Sequence, residues 1–313
     1  MKYDNLLKIL PPYIRECMRS IPLETYEELQ EIRLRVKRPV LIKVREKEYG
    51  LNTRGICNFT ESIILSEEDI KDILNCMSDF SLYSFSDELR QGFITLEGGH
   101  RVGLVGKGVI ENKTIKTLKY ISGMNIRIAH EIIGCSKKVM PYIVTRNKVY
   151  HTLIISPPGC GKTTLLRDII YNLSEGFCGY GPYNVGVVDE RSEIAACYKG
   201  IPQNHIGMRT DVLDGCPKAE GLKMLVRTMS PEIIAVDEIG GEEDCRALEE
   251  AINTGVSLIC SVHGESLEEC RKKPYIKELI QRELFERIIV LSKRKGPCTF
   301  ENIICGSTGE LLL

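Results

Sequence analysis

The chain contains no tryptophan, and phenylalanine and tyrosine bring its aromatic share to only 6%. A groove that stacks the bases of a single strand needs aromatic platforms, and this composition counts against one. Net charge is also lacking: 42 basic residues oppose 43 acidic ones, leaving −1. That argues against wholesale coating of nucleic acid, although a local basic patch stays open. No apolar run approaches the ~18 residues that read as a membrane span. The first residues, Met1 to Lys8, mix acidic and basic side chains where a secretory signal would be apolar. Thirteen cysteines are present, yet no two are spaced Cys-x-x-Cys, and the nearest pair is Cys298 and Cys305. Neither a zinc ligand set nor a disulfide framework is legible, so the expectation is reduced thiols in a cytosolic protein. Internal repeats and low-complexity tracts are missing too. At 313 residues the chain is long enough for two domains.

Against those absences stands one dense motif. Ser156-Pro-Pro-Gly-Cys-Gly-Lys-Thr163 follows the apolar run Leu153–Ile155 and precedes helix-forming Thr164–Ile170. Strand, glycine loop, Lys-Thr and helix in that order form a phosphate-binding loop. Gly159 and Gly161 let the backbone curl until several N–H groups point at one phosphate. The helix start adds unpaired N–H groups and the positive end of its dipole. The candidate nucleotide-binding residues are therefore Pro158, Gly159, Cys160, Gly161, Lys162, Thr163 and Thr164. Lys162 supplies charge for the β- and γ-phosphates, and the Thr163 hydroxyl is placed to ligate Mg²⁺. Ser156 replaces the usual first glycine, and a small residue there still permits the turn. Cys160 is either a thiolate favoured by the helix N-terminus or a filler at a variable position.

Pro231-Glu-Ile-Ile-Ala-Val-Asp-Glu238 reads as a turn, a buried strand and two carboxylates at the strand's C-terminal end. Ligands of open parallel α/β sheets sit beyond such strand ends. Asp237 suits Mg²⁺, through water, and Glu238 suits orienting or deprotonating the attacking water.

From about residue 150 onward, short apolar strands alternate with helical stretches. Strands are expected at 152–156, 184–188, 233–236, 256–261 and 287–291, and helices at 162–174, 218–229, 244–253 and 266–272. Ser266 and Glu269 have the form of a capping box. Strands separated by helices imply a mainly parallel, covered sheet, closed at one edge by a hairpin through Thr299–Cys305. Earlier, Ile32-Arg-Leu-Arg-Val-Lys37 alternates strictly, with Ile32, Leu34 and Val36 on one face. A second strand covers 40–44, a helix starts at Ser66, and a hairpin runs through 93–105 around Gly98-Gly99. Arg33, Arg35, Lys37, Arg38, Lys43, Arg45 and Lys47 form a basic cluster interleaved with Glu31, Glu46 and Glu48. It is a solvated strand face, a subunit interface or a surface for an anionic membrane or nucleic acid.

Several features now stand in order: the Ser156–Thr163 loop, Val187-Val-Asp-Glu-Arg-Ser-Glu193, Val226-Arg-Thr-Met-Ser-Pro-Glu232 before Asp237-Glu238, and Ser261-Val-His-Gly264. This order resembles the type II/IV secretion ATPase superfamily. Glu31-Ile-Arg-Leu-Arg35, Gly98-Gly-His-Arg-Val-Gly103 and Arg209-Thr-Asp-Val-Leu-Asp-Gly215 bring it closest to the stage III sporulation protein AA family of endospore-forming bacteria. The resemblance implies an α/β fold, with a RecA-like P-loop NTPase core at 151–313 and a mainly parallel sheet. The strand patterning before that core reads as a smaller α+β domain at 1–130, and Gly134, Pro141 and mixed charge mark a linker at 131–150. The resemblance implies ATP rather than GTP, with Mg²⁺, and no Asn-Lys-x-Asp guanine motif stands against that. It further implies a homohexamer, cytoplasmic in the mother cell and peripherally attached to membrane proteins of a sporulation channel, with no stable nucleic-acid partner. Glu190 matches the family's acidic box and competes with Glu238 as catalytic base; the alternative is an ion pair with an arginine. His263 matches the family's histidine as a γ-phosphate sensor. Arginines for the transferring phosphoryl group are Arg127, which matches a family position, and Arg101, Arg209 and Arg227. A nucleic-acid-stimulated ATPase and a non-hydrolysing assembly scaffold are the competing functions.

Overall fold

Alternation of side chains builds the first sheet. In the computed structural model, strand β1 (Leu29–Arg35) buries Ile32 and Leu34 and leaves Arg33 and Arg35 half-exposed on its other side. The structure describes residues 4–45, 47–77, 92–111, 113–296 and 298–313; Glu46 of the basic cluster lies outside them. The chain forms two compact units, Met1–His130 and Glu131–Leu313.

In the first unit, β1 is joined by β2 (Leu41–Val44), β3 (Lys47–Asn52), β4 (Gly55–Cys57), β5 (Phe93–Thr95), β6 (Arg101–Glu111) and β7 (Thr114–Arg127). The order is β4-β3-β2-β1-β7-β6-β5, and every pairing is antiparallel. One face packs its apolar rows under helices α1 (Asp4–Lys8), α2 (Pro12–Arg19), α3 (Leu23–Glu27) and α4 (Glu67–Met77). Leu6, Ile14, Met18, Ile70 and Ile73 meet Ile32, Ile42, Val102 and Ile126 there. Each such fully buried aliphatic side chain contributes roughly 1.5–3 kcal/mol. Ser66 and Asp69 cap α4 reciprocally: the Asp69 N–H donates to Ser66 Oγ at 3.1 Å and the Ser66 N–H to Asp69 Oδ2 at 2.8 Å. The opposite face is solvated and carries Arg33, Arg35, Arg101, Arg127 and Asn125 around a cavity of about 430 Å³.

The second unit holds β8 (Thr152–Ser156), β9 (Val185–Asp189), β10 (Thr210–Asp214), β11 (Ile233–Val236), β12 (Ser257–His263), β13 (Arg287–Ser292) and β14 (Thr299–Cys305). They lie in the order β10-β9-β11-β12-β8-β13-β14, parallel except for the antiparallel edge strand β14. Residues of β8, β9 and β11 are buried throughout, as a sheet covered on both faces requires. The helices are α5 (Met140–Ile143), α6 (Lys162–Glu175), α7 (Lys218–Thr228), α8 (Glu242–Ile252), α9 (Leu267–Cys270) and α10 (Pro274–Gln281). The whole is an α/β fold with two sheets.

Three expectations need correction. The 131–150 segment is not a free seam: Val139, Met140, Ile143 and Val149 are buried with Leu165, Leu166 and Ile169 of α6. The carboxylate of Asp168 accepts the N–H groups of Gly134 and Ser136, both at 2.7 Å. The alternation of strands and helices also contains β10, an edge strand whose Asp211 and Asp214 hid it from a reading of apolar runs. It contains α10 too, opened by Pro274 and seated on Ile276, Leu279 and Ile280.

Candidate functional site

Parallel strands bring the C-terminal ends of β8, β11 and β12 side by side, because they are neighbours in one register. The phosphate loop leaves β8, Asp237-Glu238 leaves β11 and His263 ends β12. Gly159 (φ 66°) and Gly161 (φ 92°) hold left-handed backbone in the loop, which only glycine adopts without strain. A Cβ on Gly161 would stand 2.5 Å from Cys298 Sγ, and one on Gly159 3.1 Å from Lys293 Nζ. The loop is thus covered by the β13–β14 turn, whose Cys298 N–H donates to Cys160 O at 2.7 Å. Pro158 is exposed, while the Cys160 thiol is buried and turned toward Pro158 O at 3.9 Å.

Lys162 is the first residue of α6, buried at 7% exposure. Its ammonium lies 2.6 Å from Glu238 Oε1 and 3.4 Å from Asp237 Oδ1. Thr163 Oγ1 donates to Asp237 Oδ2 at 2.6 Å. Ser261 Oγ donates to Asp237 Oδ1 and accepts the Glu238 N–H at 3.0 Å, so it fixes both acids. His263 Nε2 is 2.8 Å from Glu238 Oε1, and Arg191 Nη1 is 2.7 Å from Glu238 Oε2. Burial pushes the Glu238 carboxyl up. The Lys162 hydrogen bond and the charges of Lys162, His263 and Arg191 outweigh it and hold the group below the ordinary carboxylate range.

The acidic box resolves differently from expectation. Glu190 pairs with Lys218, whereas the carboxylates of Glu193, Asp237 and Glu238 lie within 4.8 Å of one another. Asp189 bends the chain to do this. Its buried carboxylate accepts the N–H groups of Glu193, Ile194 and Ala195 at 2.8, 2.9 and 2.8 Å. Burial still raises Asp189 to about 6, against those three bonds. Arg167 of α6 closes the loop from beneath, donating to Ile194 O and Glu193 O at 2.7 Å each. Glu193, Ser261, Arg167 and Lys293 escaped the sequence reading. Glu193 was visible only as the end of the Asp189-Glu-Arg-Ser-Glu193 box.

The arginines separate. Arg209 donates to Ser174 O at 3.3 Å in the last turn of α6, about 18 Å along that helix from Lys162 at 1.5 Å per residue. Arg227 is exposed in the last turn of α7, where the chain returns to the start of β11. Both precede the N-terminal ends of strands, β10 and β11, whereas Lys162 lies beyond a C-terminal end. Arg101 and Arg127 are register partners on β6 and β7 of the first unit. The Arg101 guanidinium lies 4.8 Å from the centre of the Phe93 ring, and Arg127 Nε is 3.8 Å from Glu31.

The donors fit a magnesium nucleotide: clustered carboxylates and a hydroxyl are hard oxygen ligands. Comparison with known proteins shows the family and the fold. A stage III sporulation protein AA of Bacillus subtilis is 43% identical over 300 residues, covering 96% of this chain and 94% of that protein. The fold is shared with the pilus retraction motor PilT solved with ADP (TM-score 0.58, 15% identity, 85% of this chain and 75% of that one). It is shared also with the Legionella pneumophila ATPase DotB (TM-score 0.54, 15% identity, 88% and 74%). The family described as sporulation stage III, protein AA matches residues 1–311, and the chain belongs to that family.

Proposed function

We propose that the second unit is a RecA-like core that binds and hydrolyses Mg²⁺–ATP. It would act as an oligomeric motor or assembly ATPase for a membrane-associated transport channel in endospore formation. The observation that carries this reading is the convergence of Lys162, Thr163, Asp237, Glu238 and His263 beyond three neighbouring strand ends. The N–H groups from Gly159 to Thr164 would cradle the phosphates, and Lys162 would leave Glu238 for the β- and γ-oxygens. Thr163 and Asp237 would hold the metal, Asp237 through water, with Glu193 beside them; a bound Mg²⁺ supplies charge neutralisation on the phosphates. Once Lys162 has moved, Glu238 loses its main counter-charge and its proton affinity rises, which suits a general base for the attacking water. His263, bonded to the same carboxylate, is suited to register the γ-phosphate. Arg127, with Arg101 beside it, is the arginine proposed for the developing charge, by likeness to the family. The partners proposed are further copies of the chain, as a hexamer, and membrane proteins of the channel.

The test is Mg²⁺-dependent ATP hydrolysis against protein concentration, with light scattering for mass, in the wild type and Glu238→Gln. Turnover rising with assembly, and lower by roughly 10²–10⁴-fold in a variant that still binds ATP, is the expected result. Nucleotide binding without turnover in either protein, even with the membrane partners, would give the site to a scaffold. Stimulation by single-stranded DNA or RNA would give it to a nucleic-acid motor.

A further inference from the structure

Two cysteines far apart in sequence meet against the phosphate loop. Cys135 lies in the segment that packs on α6, and Cys298 at the foot of the β13–β14 turn. Both side chains pack against the same apolar cluster. Cys298 Sγ is 3.4 Å from Gly161 O, and Cys135 Sγ is 3.8 Å from Thr164 O. Both sulfurs therefore sit on carbonyls of the first turn of α6, the turn whose N–H groups face a phosphate. Both residues are only partly buried, so a small oxidant reaches them. We propose that Cys135 and Cys298 form a reversible disulfide that weakens nucleotide binding at the phosphate loop, the reactant being a peroxide.

The chemistry balances. The Cys298 thiolate attacks the peroxide oxygen, the O–O bond breaks, and Cys298 becomes a sulfenic acid as one water leaves. The Cys135 sulfur then attacks the Cys298 sulfur; the S–O bond breaks, the S–S bond forms, and the Cys135 proton leaves with the oxygen as a second water. Two thiols lose two electrons in all, and the peroxide gains them. Interaction with the Cys135 side chain favours Cys298 as the attacking thiolate, holding it below the ordinary thiol range while Cys135 is raised.

The consequence for the loop is steric. A disulfide draws its sulfurs to about 2.05 Å. Cys298 cannot move alone: its N–H holds Cys160 O at 2.7 Å. Its sulfur also occupies the space that Gly161 leaves by having no Cβ. Drawing Cys298 toward Cys135 turns the Cys160 and Gly161 peptides away from the geometry a phosphate requires. The weakened binding rests on the nucleotide reading above; the cross-link does not.

The full-length reduced protein is treated with one equivalent of hydrogen peroxide, blocked with N-ethylmaleimide, digested and analysed by mass spectrometry. A Cys135–Cys298 peptide pair, lighter by two hydrogens and reversed by dithiothreitol, is expected ahead of any other pairing among the thirteen cysteines. Titration with a fluorescent Mg²⁺–ADP analogue should show the oxidised protein binding about tenfold (~1.4 kcal/mol) more weakly. Cys135→Ser should bind as the reduced wild type does and ignore peroxide; Cys298→Ala provides the same peroxide comparison if serine at 135 unfolds the unit. Absence of the pair overturns the proposal. So does unchanged affinity after oxidation, or a peroxide response that persists in Cys135→Ser and so belongs to Cys160. A reduced protein that binds no nucleotide would sink the nucleotide reading instead, with the cross-link still judged by its mass.

Discussion

Glu238 holds a left-handed backbone (φ 56°), a conformation that costs a non-glycine residue roughly 1–2 kcal/mol. The Ser261 hydroxyl, Lys162, Arg191 and the His263 imidazole hold it there and fix its carboxylate beside Lys162. Because its carboxyl is depressed, the stability it contributes is present above the ordinary value of 4.5 and lost as pH falls through the lowered folded-state value. Urea midpoints of wild type and Glu238→Gln should therefore differ at pH 7 and converge in acid; a gap that widens in acid contradicts the sign. The two glutamates of the acidic box divide similarly. Glu193→Gln should raise the Mg²⁺ concentration needed for half-maximal nucleotide binding, whereas Glu190→Gln, which only frees Lys218, should leave it unchanged. Equal effects would return Glu190 to the site. Arg127→Ala should abolish hydrolysis while preserving nucleotide binding, and unchanged turnover would rule that arginine out.

At the scale of elements, α6 does more than present the phosphate loop. Its first residues set Lys162 and Thr163 against Asp237 and Glu238, and Arg167 bonds the carbonyls of Glu193 and Ile194. Asp168 ties the 134–136 backbone to the same helix. Replacing Arg167 by Met leaves two inward-facing carbonyls without their guanidinium, at about 1–3 kcal/mol. A 183-residue unit, counted from Glu131 to Leu313, loses ~2–4 °C of Tm per kcal/mol. Calorimetry should show that loss together with weaker Mg²⁺ dependence of binding. A lowered Tm with normal Mg²⁺ dependence would make Arg167 a structural residue only. The phosphate loop was legible because strand, loop and helix are contiguous, so local chemistry fixes all three. The edge strand β10 was not, since its half-exposed residues need few apolar side chains.

At the scale of the molecule, each unit owns a core. Leu6 to Ile128 form one cluster, and the second unit has clusters on both sides of its sheet. A fragment of residues 131–313 should therefore fold and bind Mg²⁺–ADP by itself, whereas one starting at 151 should not, because it strips Val139, Met140 and Ile143 from α6. Equal stability of the two fragments, by circular dichroism on heating, would restore the linker reading. Among the described residues no helix is long and apolar enough to cross a membrane.

The order of residues along the chain was enough to determine the glycine loop between a strand and a helix, the acidic pair after a buried strand, the parallel character of the second sheet and the family. The loop and the acidic pair depend on neighbours within about ten positions, where period and loop chemistry act directly, and the sheet and the family on the order of such segments. Tertiary structure alone decided which glutamate of the acidic box faces the site, because three backbone N–H groups on Asp189 set that turn. It decided that Arg209 and Arg227 stand at the N-terminal ends of the strands, because a helix carries its last turn away from its first. It also decided that Cys135 and Cys298 both sit on carbonyls at the start of α6, because packing on that helix brings together what the chain keeps far apart.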